Sequence, residues 1–224
     1  MCGRYAFFAG KEKIQEAFGV SSDDEQLFEP NFNASPGSYL PVVLLGKARI
    51  KKIGPLRWGL IPSWSKDPSD AYSMINARSE TLLEKPSFKK PFQRQRCIVP
   101  ASGFYEWQKM GKAKIPYYIR ALDQEVMGFA GLFDKWEDPK GESLFTFTII
   151  TTPANDLLQP LHDRMPVILK KKDYADWLDP LYEDYDILQA MLKPYPNERM
   201  SLYRVSDQVN KAENNGPELI RPVV

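Results

Sequence analysis

Arg96-Cys97-Ile98-Val99-Pro100-Ala101-Ser102-Gly103-Phe104-Tyr105-Glu106-Trp107 decides the fold reading. Arg96 to Pro100 is apolar and partly β-branched, and Gly103 to Trp107 is aromatic. Short runs of these types beside turn-forming residues are strand chemistry. One strand follows the other with no helix between them. The same pattern continues outward. Lys109-Met110-Gly111-Lys112 turns back into a strand over Pro116 to Arg120. Strands over Val126 to Phe133 and Leu144 to Thr152 come next, linked by a polar turn around Pro139-Lys140-Gly141. Upstream, Leu40 to Leu45, Gly46-Lys47 and Ala48 to Ile53 read as a hairpin, and Leu56 to Ile61 (LRWGLI) as a separate strand ended by Pro62. Val167 to Leu169 and Leu202 to Val205 complete the set. Helical spacing is confined to Lys11–Phe18, a short stretch near Leu82 to Lys85, Asp173 to Leu178 and Tyr185 to Leu192. A helical turn over Pro153 to Leu158 has Thr152 or Asn155 as its cap. Strands outnumber helices and do not alternate with them, so one α+β domain over residues 1–224, built around a mixed, partly closed sheet, is expected.

The composition removes several function classes. The chain has 224 residues, 43% of them apolar and 26% charged, the profile of a soluble globular protein. Its 19 prolines favour short strands and many turns. A net charge of +1 gives no global pull toward nucleic acid, so any such binding needs a local patch. Two cysteines, Cys2 and Cys97, and one histidine exclude a structural zinc site or a disulfide scaffold, so no metal or cofactor is expected. The start is too early charged for a signal peptide, and no apolar run approaches the roughly 18 residues of a membrane span. A reduced, cytoplasmic protein follows. Walker, dinucleotide, HExxH and GxSxG motifs are all missing, which argues against the chemistries they serve.

Met1-Cys2-Gly3-Arg4 carries unusual chemistry. With Met1 removed, Cys2 presents an α-amine and a thiol on adjacent carbons. An amine attacks an aldehyde to give an imine, and the neighbouring thiol closes on the imine carbon as a thiazolidine. The α-amine titrates near pH 8, against about 10.4 for lysine, so a useful neutral fraction exists at neutral pH. By position alone, Cys2 reads first as a residue that merely follows the initiator. Cys97, in an apolar strand, is expected to be a small core residue.

Four other places hold chemistry-bearing residues. His162 is the lone histidine, in the polar loop Leu161-His162-Asp163-Arg164-Met165-Pro166, where proton transfer near pH 7 competes with a structural role. Glu106 lies among Phe104, Tyr105 and Trp107. A buried carboxylate there has a raised pKa suited to acid–base work, while a solvated strand face is the other reading. Asn76 and Arg78 share a side if Ile75-Asn76-Ala77-Arg78 is extended, and a local turn is the alternative. Trp64, in the loop Pro62 to Met74, is either a stacking surface for a base or a lid on the core. The basic stretch Lys89 to Arg96 and the turn residues Lys109, Lys112 and Lys114 either follow a phosphate backbone or form a solvated face.

In combination these pieces resemble one family. MCGRY, NFNASPG, RWGLIPSW, INARSET, RCIVPASGFYEW, LHDRMPV and NNGPELI, in this order from Cys2 to about Ile220, are similar to the SOS-response-associated peptidase family of abasic-site processing proteins. The resemblance implies a bifurcated sheet with a small barrel-like core and surrounding short helices. It implies loss of Met1 by self-processing and attack of Cys2 on the ring-opened abasic deoxyribose of single-stranded DNA, giving a thiazolidine crosslink that protects the strand. Carried over by motif, Cys2 is the nucleophile, Asn76 positions its amine or thiol, Glu106 shuttles protons, and His162 assists ring opening or reversal. Arg4, Asn33, Pro36, Trp64, Arg78 and Arg164 are the implied DNA contacts. The implied protein is a monomer that associates with the nucleoid when bound to DNA. Many members carry a second aromatic after the tryptophan, where this chain has Ser65. A cysteine peptidase acting on external peptides and a reversible single-strand-binding module are the competing readings.

Overall fold

The strand that organises the molecule is Ser143–Pro153, because four others bond to its two edges. The computed structural model describes residues 2–46 and 48–223. Met1, whose removal the sequence reading expects, lies outside them, as does Lys47 of the first hairpin turn. In chain order the strands are β1 Tyr5–Phe7, β2 Asn31–Ala34, β3 Tyr39–Leu45, β4 Lys51–Trp58, β5 Asn76–Arg78, β6 Arg96–Ala101, β7 Gly103–Met110, β8 Ala113–Ala121, β9 Met127–Glu137, β10 Ser143–Pro153, β11 Arg164–Pro166, β12 Ile168–Leu169 and β13 Met200–Arg204. The α-helices are α1 Lys11–Phe18, α2 Pro86–Arg94, α3 Tyr174–Leu178 and α4 Tyr185–Ala190.

Along one edge β10 pairs in parallel first with β4 (Thr146 with Arg57) and then with β5 (Ile149 with Asn76). Along the other it pairs antiparallel with β9 and then, from Thr151 on, with β11. The sheet therefore forks at β10. Pairing continues from β9 to β6, β3 and β4, so β10-β4-β3-β6-β9 closes into a five-stranded barrel. A second sheet runs β13-β8-β7-β1-β2. The expected α+β fold with a bifurcated sheet and barrel-like core is present.

Aromatic rings join the two sheets. Tyr5 of β1 packs on Trp58 of β4 (5.3 Å between centroids) and Phe129 of β9 (6.0 Å), and Phe104 of β7 meets Phe129 edge-on at 5.9 Å. Trp58 in turn stacks on Phe147 of β10. All five rings are fully buried. Burial of a Phe-sized chain stabilises by roughly 1.5–3 kcal/mol, so this seam fixes β1, and with it the start of the chain, against the barrel. Cys97 is buried in β6, as expected of a core residue.

Several boundaries differ from expectation. Leu56 to Ile61 is not a separate strand: β4 runs unbroken from Lys51 to Trp58 through Gly54-Pro55. Pro55 lies opposite Pro41, which confines both missing N–H groups to one rung of the β3–β4 ladder. Ala48 to Ile50 belong to the hairpin turn rather than to β4. The helix expected near Leu82 to Lys85 begins instead at Pro86, where a proline suits the first helical position, and it tolerates Pro91 in its interior. Asn31-Phe32-Asn33-Ala34, for which no element was named, is strand β2 on the edge of the second sheet. Arg96, read as part of a basic surface, is buried. It donates to the carbonyls of Trp177 (2.7 Å), Phe92 (2.6 Å), Gln93 (2.9 Å), Tyr182 (3.2 Å) and Asp179, which clamps α2 and α3 to β6.

Candidate active site and nucleic-acid interface

β1 and β7 deliver the site. Their antiparallel register puts Tyr5 opposite Phe104, and the Tyr105 N–H donates to the Arg4 carbonyl at 3.0 Å. Extended by two residues, that register brings Gly3 and Cys2 alongside Glu106 and Trp107. From the barrel side, β5 pairs with β10 and carries Asn76. Asn76 Nδ2 donates to the Cys2 carbonyl at 2.9 Å. The amide therefore grips the main chain of Cys2, where the family resemblance implied a hold on its amine or thiol. Asn76 Oδ1 is buried with no hydrogen-bond partner among the described residues.

The Cys2 thiol is fully buried, with Sγ 4.0 Å from the Arg4 carbonyl. Burial lifts its pKa well above the ordinary thiol range, and the Glu106 carboxylate adds to the rise. It is therefore a thiol at neutral pH. Glu106 is 3% exposed, and burial pushes its carboxyl up to about 7. Of the two readings of GFYEW, the solvated face is excluded. A carboxyl titrating near neutrality both gives and takes a proton at little cost.

His162 follows a tight turn, where the Leu158 N–H donates to Asn155 Oδ1 at 3.1 Å. Its Nδ1 lies 3.0 Å from the Arg164 N–H and 2.7 Å from Asp163 Oδ1. Nδ1 is thus engaged by its own loop. Burial lowers its pKa, so the ring is mainly neutral at pH 7. Glu106 and His162 line one cavity of about 530 Å³, together with Ile75, Trp107, Lys109, Lys114 and Asn210. Three of these other residues, Ile75, Trp107 and Asn210, carried no assigned role in the sequence reading. Trp107 stood beside Glu106 in the motif, but Asn210 comes from a 3-10 turn over Asp207–Asn210 with no motif of its own. Its Oδ1 accepts from Trp107 Nε1 at 2.7 Å.

The implied DNA contacts divide into two groups. Arg4 donates through Nη1 to Asn33 Oδ1 (2.7 Å) and the Val209 carbonyl (2.9 Å). Asn33 is 3% exposed and donates to the carbonyls of Val209, Lys211 and Asn214. Arg164 is nearly buried and makes a two-pronged pair with Glu80 while donating to the Thr151 carbonyl at 2.6 Å. These three side chains are engaged in holding the protein together. Trp64 and Arg78, by contrast, are exposed, and Pro36 is half-buried in the turn before Gly37. Trp64 is no lid: it is 62% exposed on a loop pinned by Asp134, which accepts from the Ser63 N–H at 2.8 Å, and by Trp136, which donates to the Ser65 carbonyl at 2.8 Å.

The family model of the SOS response associated peptidase (SRAP) matches residues 1–212. The chain belongs to the SRAP family. It is 45% identical over 222 residues to the abasic site processing protein YoqW of Bacillus subtilis, covering 98% of this chain and 99% of that one. It is 36% identical to the abasic site processing protein HMCES of Gallus gallus, across 100% of this chain and 78% of the relative. A crystal structure of a Bacteroides thetaiotaomicron protein superposes with a TM-score of 0.89 at 31% identity, with full coverage of both chains. The overall fold is therefore shared with that structure. Among the described residues, no helix is long and apolar enough to cross a membrane.

Proposed function

We propose that this SRAP protein processes abasic sites in single-stranded DNA by forming a covalent crosslink through Cys2. The observation that carries the reading is Asn76. Its Nδ2 fixes the Cys2 carbonyl at 2.9 Å, while its buried Oδ1 has no hydrogen-bond partner among the described residues and is an acceptor for an ammonium or amine at the same residue. Loss of Met1 by self-processing creates that amine. The names of the YoqW and HMCES relatives supply the lesion class.

The amine attacks C1 of the ring-opened deoxyribose, and a proton moves from nitrogen to the new alkoxide. Glu106, titrating near 7, then protonates the departing hydroxyl, water leaves, and the iminium gives its N–H proton back to the Glu106 carboxylate to form the imine. The Cys2 S–H adds across the C=N bond: sulfur bonds to carbon and its proton passes to nitrogen. An imine drains electrons toward nitrogen and so assists β-elimination and strand breakage; the saturated thiazolidine does not. His162, mainly neutral, takes or returns the proton of the sugar hydroxyl during ring opening. Trp64 and Arg78 are exposed and suit stacking and phosphate contact.

The test is denaturing electrophoresis of the protein with a single-stranded abasic oligonucleotide. The expected result is a shifted band that Cys2→Ala abolishes. A stable shift with Cys2→Ala overturns the assignment, and repeated turnover of an added peptide, with no DNA adduct, would favour a peptidase.

A further inference from the structure

Lys109 of β7 and Lys114 of β8 are direct cross-strand partners, so two cations face each other on one rung of the hairpin. Like charges in this position repel. Both side chains are exposed, and neither has a carboxylate partner among the described residues. Both also line the cavity that holds Glu106 and His162. Lys109 is near enough to His162 to help hold its pKa down. Meanwhile two of the arginines that the family resemblance assigned to DNA, Arg4 and Arg164, are engaged within the protein. Local rules are broken where function requires it, and a repulsive rung beside a reactive cavity asks for an anion.

We propose that the Lys109–Lys114 rung is a phosphate-binding subsite that seats one phosphodiester of the single strand next to the lesion. This rests on the crosslinking reading and extends it. Two ammonium groups on opposed strands bracket a phosphate as point charges, which suits a backbone position where sequence is not read. Lys112, at the hairpin turn, broadens the same positive edge. The subsite positions substrate; the reacting atoms remain those of Cys2 and the sugar.

The test uses the full chain with Lys109→Gln/Lys114→Gln, and Lys171→Gln/Lys172→Gln in the exposed turn before α3 as a charge-matched control. Reversible binding of an undamaged single-stranded oligonucleotide is measured by fluorescence anisotropy against salt. The rung variant should lose about 0.7 from the slope of log affinity on log salt, equivalent to roughly five-fold weaker binding near 0.1 M salt. The control should not. Crosslinking of an abasic oligonucleotide should show a higher half-saturating concentration with an unchanged maximal rate. Replacing each flanking phosphate in turn by a neutral methylphosphonate should reveal one linkage that matters to the wild type and not to the rung variant. A rung variant with the wild-type slope and the same linkage dependence overturns the proposal, as does an equal loss in the control. A wild-type chain that binds strands but forms no adduct would refute the crosslinking reading, and the salt-slope arm would still decide the rung.

Discussion

Glu106 shows how much a single buried residue settles. Its neighbours in sequence left two faces open, and burial to 3% exposure chooses between them. The consequence is measurable as a stability trend. The carboxyl titrates at 4.5 ordinarily and near 7 in the folded chain, so the native state binds more protons between those values. Stability therefore falls as pH rises from about 4.5 to about 7, by roughly 3 kcal/mol in total, and the cost persists above. Glu106→Gln should remove that decline, seen as a flatter denaturant midpoint against pH. The same variant should slow adduct formation by about 10²–10⁴-fold, the usual worth of a placed acid–base group, as read from single-turnover time courses. Asn76 was legible as a positioning residue, but its actual partner, the Cys2 carbonyl, was not. Alternation along a strand reports a side, never a partner on another strand.

Elements were legible where their pattern was local. Lys11–Phe18 is a helix with the expected bounds, because its apolar spacing and the left-handed glycine after it are both in the sequence. β6, β7 and β10 were visible as runs. The fork at β10 was not, since it depends on β4 and β5 arriving in parallel from distant parts of the chain. Arg164 illustrates the same gap: read as a DNA contact, it ties β11 and β10 to the Ser79–Thr81 turn through Glu80 and the Thr151 carbonyl. Arg164→Ala should cost about 1–3 kcal/mol, chiefly by removing the donor to the buried Thr151 carbonyl, since Glu80 is exposed, measured by urea unfolding. At β7, a Cβ on Gly103 would sit 2.1 Å from the Tyr118 ring, which is fully packed between β7 and β13 neighbours. Gly103→Ala should therefore destabilise by about 1–3 kcal/mol or more, with β7 and Glu106 displaced and crosslinking reduced.

At the scale of the whole molecule, the chain's two ends meet beside the site. Asn33 ties β2 to the carbonyls of Val209, Lys211 and Asn214, and Arg4 joins the same knot through Asn33 and Val209. The last turn also brings Asn210 to Trp107 at the cavity wall. No local motif reports such closure, which is why Asn33 read as a ligand contact. Asn33→Ala should cost about 2–3 kcal/mol, since several carbonyls lose their donor, and should lower the melting temperature and the crosslinking rate together. The architecture thus holds Cys2 between β7 and β5, beside an acid near neutrality, and on the proposed reading loss of Met1 sets an amine next to the thiol there. Intact-mass measurement of the purified product with a single-stranded abasic oligonucleotide tests that claim most directly. The account predicts a mass equal to the chain lacking Met1 plus the oligonucleotide less one water, stable without a reducing agent and absent for Cys2→Ala. An equally stable adduct on a chain that retains Met1, or one that survives Cys2→Ala, would contradict it.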